Sequence, residues 1–235
     1  MKLVIKDLKK SYDDNLVLKD INFEFEEGKI YGLLGRNGAG KTTLFNCLNE
    51  DIAIDDGEFF LSEKDNTNKI TSSDIGYVLS TPVVPEFLTA REFLKFFIDI
   101  NKDKIDSKKT IDDYFDLVKI NEADRDKLLK EYSHGMKNKM QMLVNIIYSP
   151  KILLLDEPLT SFDVIVAEEM KKLLKSIKKN HILIFSTHIM ELALDLCDEI
   201  VILNNGKLEK MDKSNLNNAE FKNKIIASLK GDSDD

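Results

Sequence analysis

Residues 35–42 read Gly-Arg-Asn-Gly-Ala-Gly-Lys-Thr and fill every fixed position of the pattern G-x-x-x-x-G-K-[ST]. A short apolar run, Ile30–Leu34, precedes them, and a helix-forming stretch follows Gly40. Glycine lets the backbone curl until successive N–H groups face one anion. The N-terminus of the following helix adds partial positive charge. Lys41 is then placed to neutralise β- and γ-phosphates, and the Thr42 hydroxyl to ligand Mg²⁺. A glycine-rich turn could match by accident, but at ordinary residue frequencies that is about a 1% event in a chain of this length. The flanking strand and helix make it rarer still. Binding of ATP or GTP phosphates is expected from this segment alone.

A second apolar run, Ile152–Leu155, ends in Asp156 and Glu157. Ligands of open α/β sheets sit beyond the carboxyl ends of the strands. Asp156 is therefore placed to hold Mg²⁺ through water, and Glu157 to orient an attacking water as general base. In isolation, a strand that simply ends in two solvated acids would be an equally good reading. With a phosphate cradle upstream, the metal-site reading outweighs it.

The elements that must position these groups follow from periodicity. Ile21, Phe23 and Phe25 alternate with polar residues as in a half-buried strand, after a turn at Asp13-Asp14-Asn15. Leu3 to Tyr12 is rich in β-formers but alternates poorly. Gly57 to Leu61 and Ile75 to Leu79 are further strand candidates. Between Pro82 and Pro150 the spacing turns helical, as at Phe93, Phe96, Phe97 and Ile100, so an all-helical insertion is expected there. A helix over about 163–179, the strand Ile182–Phe185, a helix from Met190 and the strand Glu199–Leu203 follow. That β–α–β–α–β order predicts a parallel sheet covered by helices. Asn204-Asn205-Gly206 predicts a hairpin, and Lys213 to Leu229 a modest helix before a solvated acidic tail.

The chain has 235 residues, 43% of them hydrophobic, which is enough for one large domain or one domain with an insertion. No apolar run approaches the ~18 residues of a membrane span. The N-terminus lacks the pattern of a secretory signal. Cys47 and Cys197 suggest no disulfide framework, and no Cys/His spacing resembles a zinc site. The net charge of −8 argues against wholesale binding of nucleic acid or anionic membrane.

With these residues in order, the chain resembles an ATP-binding cassette (ABC) ATPase over roughly residues 1–212. Pro158 to Asp163 is similar to the family's D-loop, and Ser186-Thr187-His188 to its switch-histidine segment. Tyr132-Ser133-His134-Gly135-Met136 looks like a variant of its signature motif. The resemblance implies an α/β fold: a P-loop NTPase core with a mostly parallel sheet, an N-terminal antiparallel β subdomain, and a helical subdomain inserted at about 81–150. Residues 213–235 would be a C-terminal helix and acidic tail. It also implies site roles. Gly35, Arg36, Asn37, Gly38, Ala39, Gly40, Lys41, Thr42 and Thr43 would hold the phosphates. Tyr12 would stack on adenine. Thr42, Asp156 and Ser80 would serve Mg²⁺, and Glu157, Lys41 and His188 would act in hydrolysis, His188 donating to the γ-phosphate. Ser133 and Gly135, at a helix start, would meet the γ-phosphate held by a second ATPase subunit, in a homo- or heterodimer closed by ATP. His134 would face solvent or that subunit, while His181 lacks any motif and is read as an ordinary residue.

Three positions depart from the common family pattern. Ser80 stands where glutamine usually reaches the metal and the water, so coordination there would be indirect or weaker. His134 and Met136 replace the usual signature residues, and the string from Tyr132 to Gln141 is similar to that of ATPases of antimicrobial-peptide, bacitracin-type and drug exporters. The implied role is the ATPase subunit of an exporter at the cytoplasmic face of the cell membrane, coupled to a separately encoded permease. Val83, Val84, Phe87 and Leu88 are candidate contacts with that permease. Two other classes compete: a soluble ribosome- or DNA-associated ABC ATPase, and a regulatory cassette with little turnover. The acidic balance and the single cassette weigh against the first, and the intact Lys41, Asp156, Glu157 and His188 against the second.

Overall fold

A computed structural model describes residues 1–64, 66–105, 109–211, 223 and 225–227. The chain opens with two long antiparallel strands, β1 (Lys2–Tyr12) and β2 (Asn15–Glu26), joined by the turn at Asp13 and Asp14. β1 also pairs with β4 (Asp56–Glu63), which pairs with β5 (Asn66–Lys69), giving a four-stranded antiparallel sheet in the order β2-β1-β4-β5. The poor alternation of β1 has a local cause. Its register shifts past Asp7, a residue with φ 48, and the Asp7 N–H donates to Asn22 Oδ1 at 3.1 Å in place of the regular ladder. β5 was not expected: all four of its residues are polar and exposed, so no apolar alternation announces it.

The second sheet has six strands in the order β10-β9-β3-β8-β7-β6. Its members are β3 (Ile30–Leu34), β6 (Ile75–Val78), β7 (Ile152–Asp156), β8 (Ile182–Thr187), β9 (Glu199–Asn204) and β10 (Lys207–Met211). Every pairing is parallel except the β9–β10 hairpin. That hairpin turns at Asn205 and Gly206, with φ 49 and 77, the doubly positive geometry that the Asn-Gly pair predicts. The continuous apolar runs are explained by burial on both faces. Tyr31, Leu33, Ile152, Leu154, Ile182, Ile184, Val201 and Leu203 face the antiparallel sheet and α1 (Lys41–Leu48). Ile30, Leu34, Leu153, Leu155, Leu183, Phe185, Ile200 and Ile202 face the helical side.

The helices are α1, α2 (Ala90–Ile100), α3 (Ile111–Leu117), α4 (His134–Tyr148), α5 (Val164–Ile177) and α6 (Met190–Leu196). α2, α3 and α4 occupy the chain between β6 and β7, which are hydrogen-bonded neighbours, so this segment is an excursion from the sheet edge. The spacing predicts helix throughout this segment, and the structure corrects that expectation. Residues 79–88 run without regular structure, because Pro82 and Pro85 each remove a backbone donor, and helix begins only at the Thr89/Glu92 capping box. No described helix is long and apolar enough to cross a membrane. The helix expected over 213–229 and the tail after it lie almost wholly outside the described residues.

The two cores meet at the parallel sheet, so truncation there should be costly. Leu33→Ala, at a fully buried site, is expected to lose about 2–5 kcal/mol. Phe87→Ala, at a residue 85% exposed, should change stability by less than about 0.5 kcal/mol. Urea unfolding of the two variants checks this; equal shifts of the midpoint would contradict the packing described.

Candidate nucleotide site

The segment 35–42 links the carboxyl end of β3 to α1. Its glycines set the curl: Gly38 and Gly40 have φ 82 and 101, and a Cβ on Gly40 would lie 2.9 Å from Val17 Cγ1. The helix it opens differs from its neighbours. α2, α3, α4 and α5 each have a side chain from the residue before the helix accepting a first-turn N–H. α1 follows Gly40, has no such cap and carries no acid in its first turn. Its first-turn donors and dipole are left for an external anion.

Lys41 is almost fully buried, and its Nζ donates to the carbonyls of Gly35 at 2.8 Å and Arg36 at 3.1 Å. Burial holds its pKa below the usual lysine value, against the opposing pull of the Glu157 and Asp156 carboxylates. A triphosphate would supply that ammonium with the charge partner that two carbonyls do not.

Asp156, 2% exposed, closes β7. The Thr42 hydroxyl donates to its Oδ2 at 2.8 Å, and the Ser186 hydroxyl donates to its Oδ1 in a short bond. Two hard oxygens, one hydroxyl and one carboxylate, thus stand in contact at the mouth of the cradle. That donor set fits Mg²⁺, which takes one or two protein oxygens and completes its shell from phosphates and water. Among the described residues no group of three or more His, Cys, Asp or Glu forms a dedicated metal cage.

Glu157 has φ 48, a left-handed conformation that costs a non-glycine residue about 1–2 kcal/mol. Its N–H is held by Ser186, through the carbonyl at 3.2 Å and the hydroxyl at 3.1 Å. His188 Nδ1 lies 2.9 Å from Glu157 Oε1. A carboxylate can only accept, so Nδ1 is the donor and the ring reaches the site through Glu157.

A cavity of about 390 Å³ joins these groups, lined by Tyr12, Val17, Asn37, Gly38, Gly40, Lys41, Thr42, Thr43, Ser80, Asp156 and Glu157. The sequence-derived residues are therefore gathered from four separate places in the chain. Gly35, Arg36 and Ala39 belong to the loop but do not line the cavity, and Tyr12 offers a 47% exposed ring at its mouth. Ser133 and Gly135 lie apart from the lining. Ser133 precedes α4 and accepts the Met136 N–H at 3.2 Å, which leaves its own O–H as a donor. Two contributors escaped the sequence reading: Val17, and the buried hydroxyl of Ser186. The β7–β8 register sets Ser186 opposite Asp156, a pairing that only the strand order reveals.

Against known proteins, the family described as ABC transporter matches residues 18–160. The ABC transporter ATP-binding protein YxlF of Bacillus subtilis is 33% identical over 210 residues, which is 88% of this chain and 69% of that protein. The sulfate/thiosulfate import ATP-binding protein CysA of a Synechocystis strain is 30% identical over 90% of this chain, and the chain spans 60% of its length. Among solved structures, the dimeric post-hydrolysis state of the ATP-binding cassette MJ0796 bound to ADP and phosphate matches with a TM-score of 0.76. It is 19% identical, with 90% of this chain and 98% of that one covered, so the likeness shows the fold.

Ser186 holds both acids at once, and its loss should register in stability. Ser186→Ala would leave Asp156 Oδ1 without its donor and Glu157 N–H with one acceptor fewer. The expected cost is about 1–3 kcal/mol in a urea titration. An unchanged midpoint would show that the hydroxyl does not carry this corner.

Proposed function

The chain belongs to the ABC transporter ATP-binding family, and on that premise we propose that it hydrolyses ATP to drive a membrane-spanning permease subunit. The observation that carries the reading is the meeting of Lys41, Thr42, Asp156 and Glu157 around one cavity. The uncapped turn of α1 and the Lys41 ammonium bind and orient the triphosphate. Thr42 and Asp156 would hold Mg²⁺, which would supply further neutralisation of phosphate charge. Glu157 orients the attacking water and takes its proton, and the His188 Nδ1–H fixes the carboxylate that does so. Tyr12 would stack on the adenine ring at the cavity mouth, and Ser80 would stand beside the metal.

The separation of Ser133 and Gly135 from the cavity supports a dimer, in which the start of α4 in one copy completes the site of the other. The Ser133 O–H and the first-turn N–H groups of α4 are the donors that would face the γ-phosphate. The permease contact is assigned to the segment leading into α2. Val83 and Phe87 are 71% and 85% exposed, whereas Val84 and Leu88 are half-buried and belong partly to packing. Such a contact places the chain at the cytoplasmic face of the cell membrane. Export of a peptide or drug is the finer reading, supported by the residues from Tyr132 to Gln141; the relatives include an import protein.

Steady-state phosphate release with MgATP tests the enzyme reading. Lys41→Ala is expected to abolish nucleotide binding. Glu157→Gln should lower turnover by about 10²–10⁴-fold, the weight of a general base, while still binding ATP. Gel filtration of Glu157→Gln with MgATP should show a dimer; a monomer under those conditions would contradict the shared site. Failure to co-purify with a co-expressed polytopic membrane protein would count against the transporter role.

A further inference from the structure

Tyr12 offers a half-exposed ring at the mouth of the nucleotide cavity, yet it is the last residue of β1, where a strand is prone to fray. The ladder between β1 and β4 ends short of it, at the pairing of Lys9 with Asp56. On the other edge the pairing with β2 steps from Lys10–Leu18 to Ser11–Leu16, a bulge that skips Val17, which lines the cavity. Past these points Asp55, the residue before β4, takes over. Its N–H donates to the Lys9 carbonyl at 2.9 Å. Its Oδ1 accepts from the Lys10 ammonium at 2.9 Å, and its Oδ2 accepts the Ser11 N–H at 2.6 Å. One residue thus grips three successive positions of the strand that ends in Tyr12.

The Lys10 ammonium held in this way stands over the Tyr12 ring, 5.7 Å from its centroid. A cation there is attracted by the electron density of the ring face. It takes one face and leaves the other for a stacked base. It also draws density from the ring, which eases stacking against a second π system. Without the carboxylate, the four-carbon stem of Lys10 is free to swing the ammonium into water. Folding stability does not explain the pair. The Asp55 side chain is 41% exposed, and an ion pair so wet contributes little to stability. The Lys10 ammonium, and after it the Ser11 N–H, nonetheless hold the Asp55 carboxyl below its ordinary pKa, so the grip is ionised at neutral pH. Neither Lys10 nor Asp55 lines the cavity, so both act on it through Tyr12.

We propose that Asp55 and Lys10 are positioning residues that hold the Tyr12 ring as a one-sided platform for the nucleotide base, adding affinity for a base-bearing triphosphate and leaving the phosphate chemistry untouched. The inference rests on the reading of Tyr12 as the residue that stacks on the base. Calorimetry on the full chain gives Kd for MgATP and for magnesium tripolyphosphate, which has no base; phosphate release gives kcat and KM. In Tyr12→Ala the preference for ATP over tripolyphosphate should largely vanish, as the loss of a stacking partner requires. Asp55→Ala and Lys10→Met should each weaken ATP by about three- to tenfold, the worth of a lost cation–π contact and a less ordered ring. Their affinity for tripolyphosphate should stay within about twofold. KM for ATP should rise in both, with kcat within about twofold. Lys10→Met leaves the backbone contacts of Asp55 in place, so it carries the test even where Asp55→Ala loosens the strand. Adding Asp55→Ala to Tyr12→Ala should cost no further ATP affinity. Unaltered ATP affinity in Asp55→Ala or Lys10→Met, equal losses for ATP and tripolyphosphate, or a further loss in the double variant would overturn the proposal. Unaltered ATP affinity in Tyr12→Ala would instead defeat the stacking reading, and the proposal would fall with it.

Discussion

A buried carboxylate governs this architecture. Asp156 is 2% exposed, and a charge so placed is tolerable only with donors on its oxygens. They come from two other elements: Thr42 in the first turn of α1 and Ser186 near the end of β8. To supply them, β3, β8 and β7 must run parallel with their carboxyl ends level, and the pairing of Leu34 with Thr187 and of Asp156 with Ser186 shows that they do. Sheet register and site chemistry are thus one constraint. A slip of one residue on β7 would put the carboxylate on the wrong face and strip it of both donors.

Charge balance explains why the same corner suits a metal-bound triphosphate. Lys41 is buried against backbone carbonyls and the two acids stand across from it. The α1 N-terminus adds donors that no side chain of the loop consumes. Such a corner stores cost as well as function: a left-handed Glu157 and a lysine whose burial disfavours its charge. The apolar strands offset that cost, since both faces of the parallel sheet are covered by hydrophobic side chains.

What could be read from the sequence was local. The glycine spacing of 35–42, the acids at the end of Ile152–Leu155 and the Asn205-Gly206 hairpin each carry their geometry in a few adjacent residues. Features that depend on a distant partner were not legible. β5 is a run of exposed polar residues that becomes a strand only because β4 lies beside it. Ser186 matters because of which strand is its neighbour. The chain between Pro82 and Thr89 was overread as helix because its apolar residues outweighed the two prolines. The hydrogen bond between His188 and Glu157 is likewise a contact that no spacing encodes.

Calorimetric titration of ATP into the chain, with Mg²⁺ and then with the metal chelated, tests the central claim most directly. The account predicts one nucleotide per chain, with affinity that drops sharply when Mg²⁺ is removed, and it predicts that Asp156→Asn erases the difference between the two conditions. Equal affinity with and without the metal in the unaltered chain, or a metal effect that survives Asp156→Asn, would contradict it.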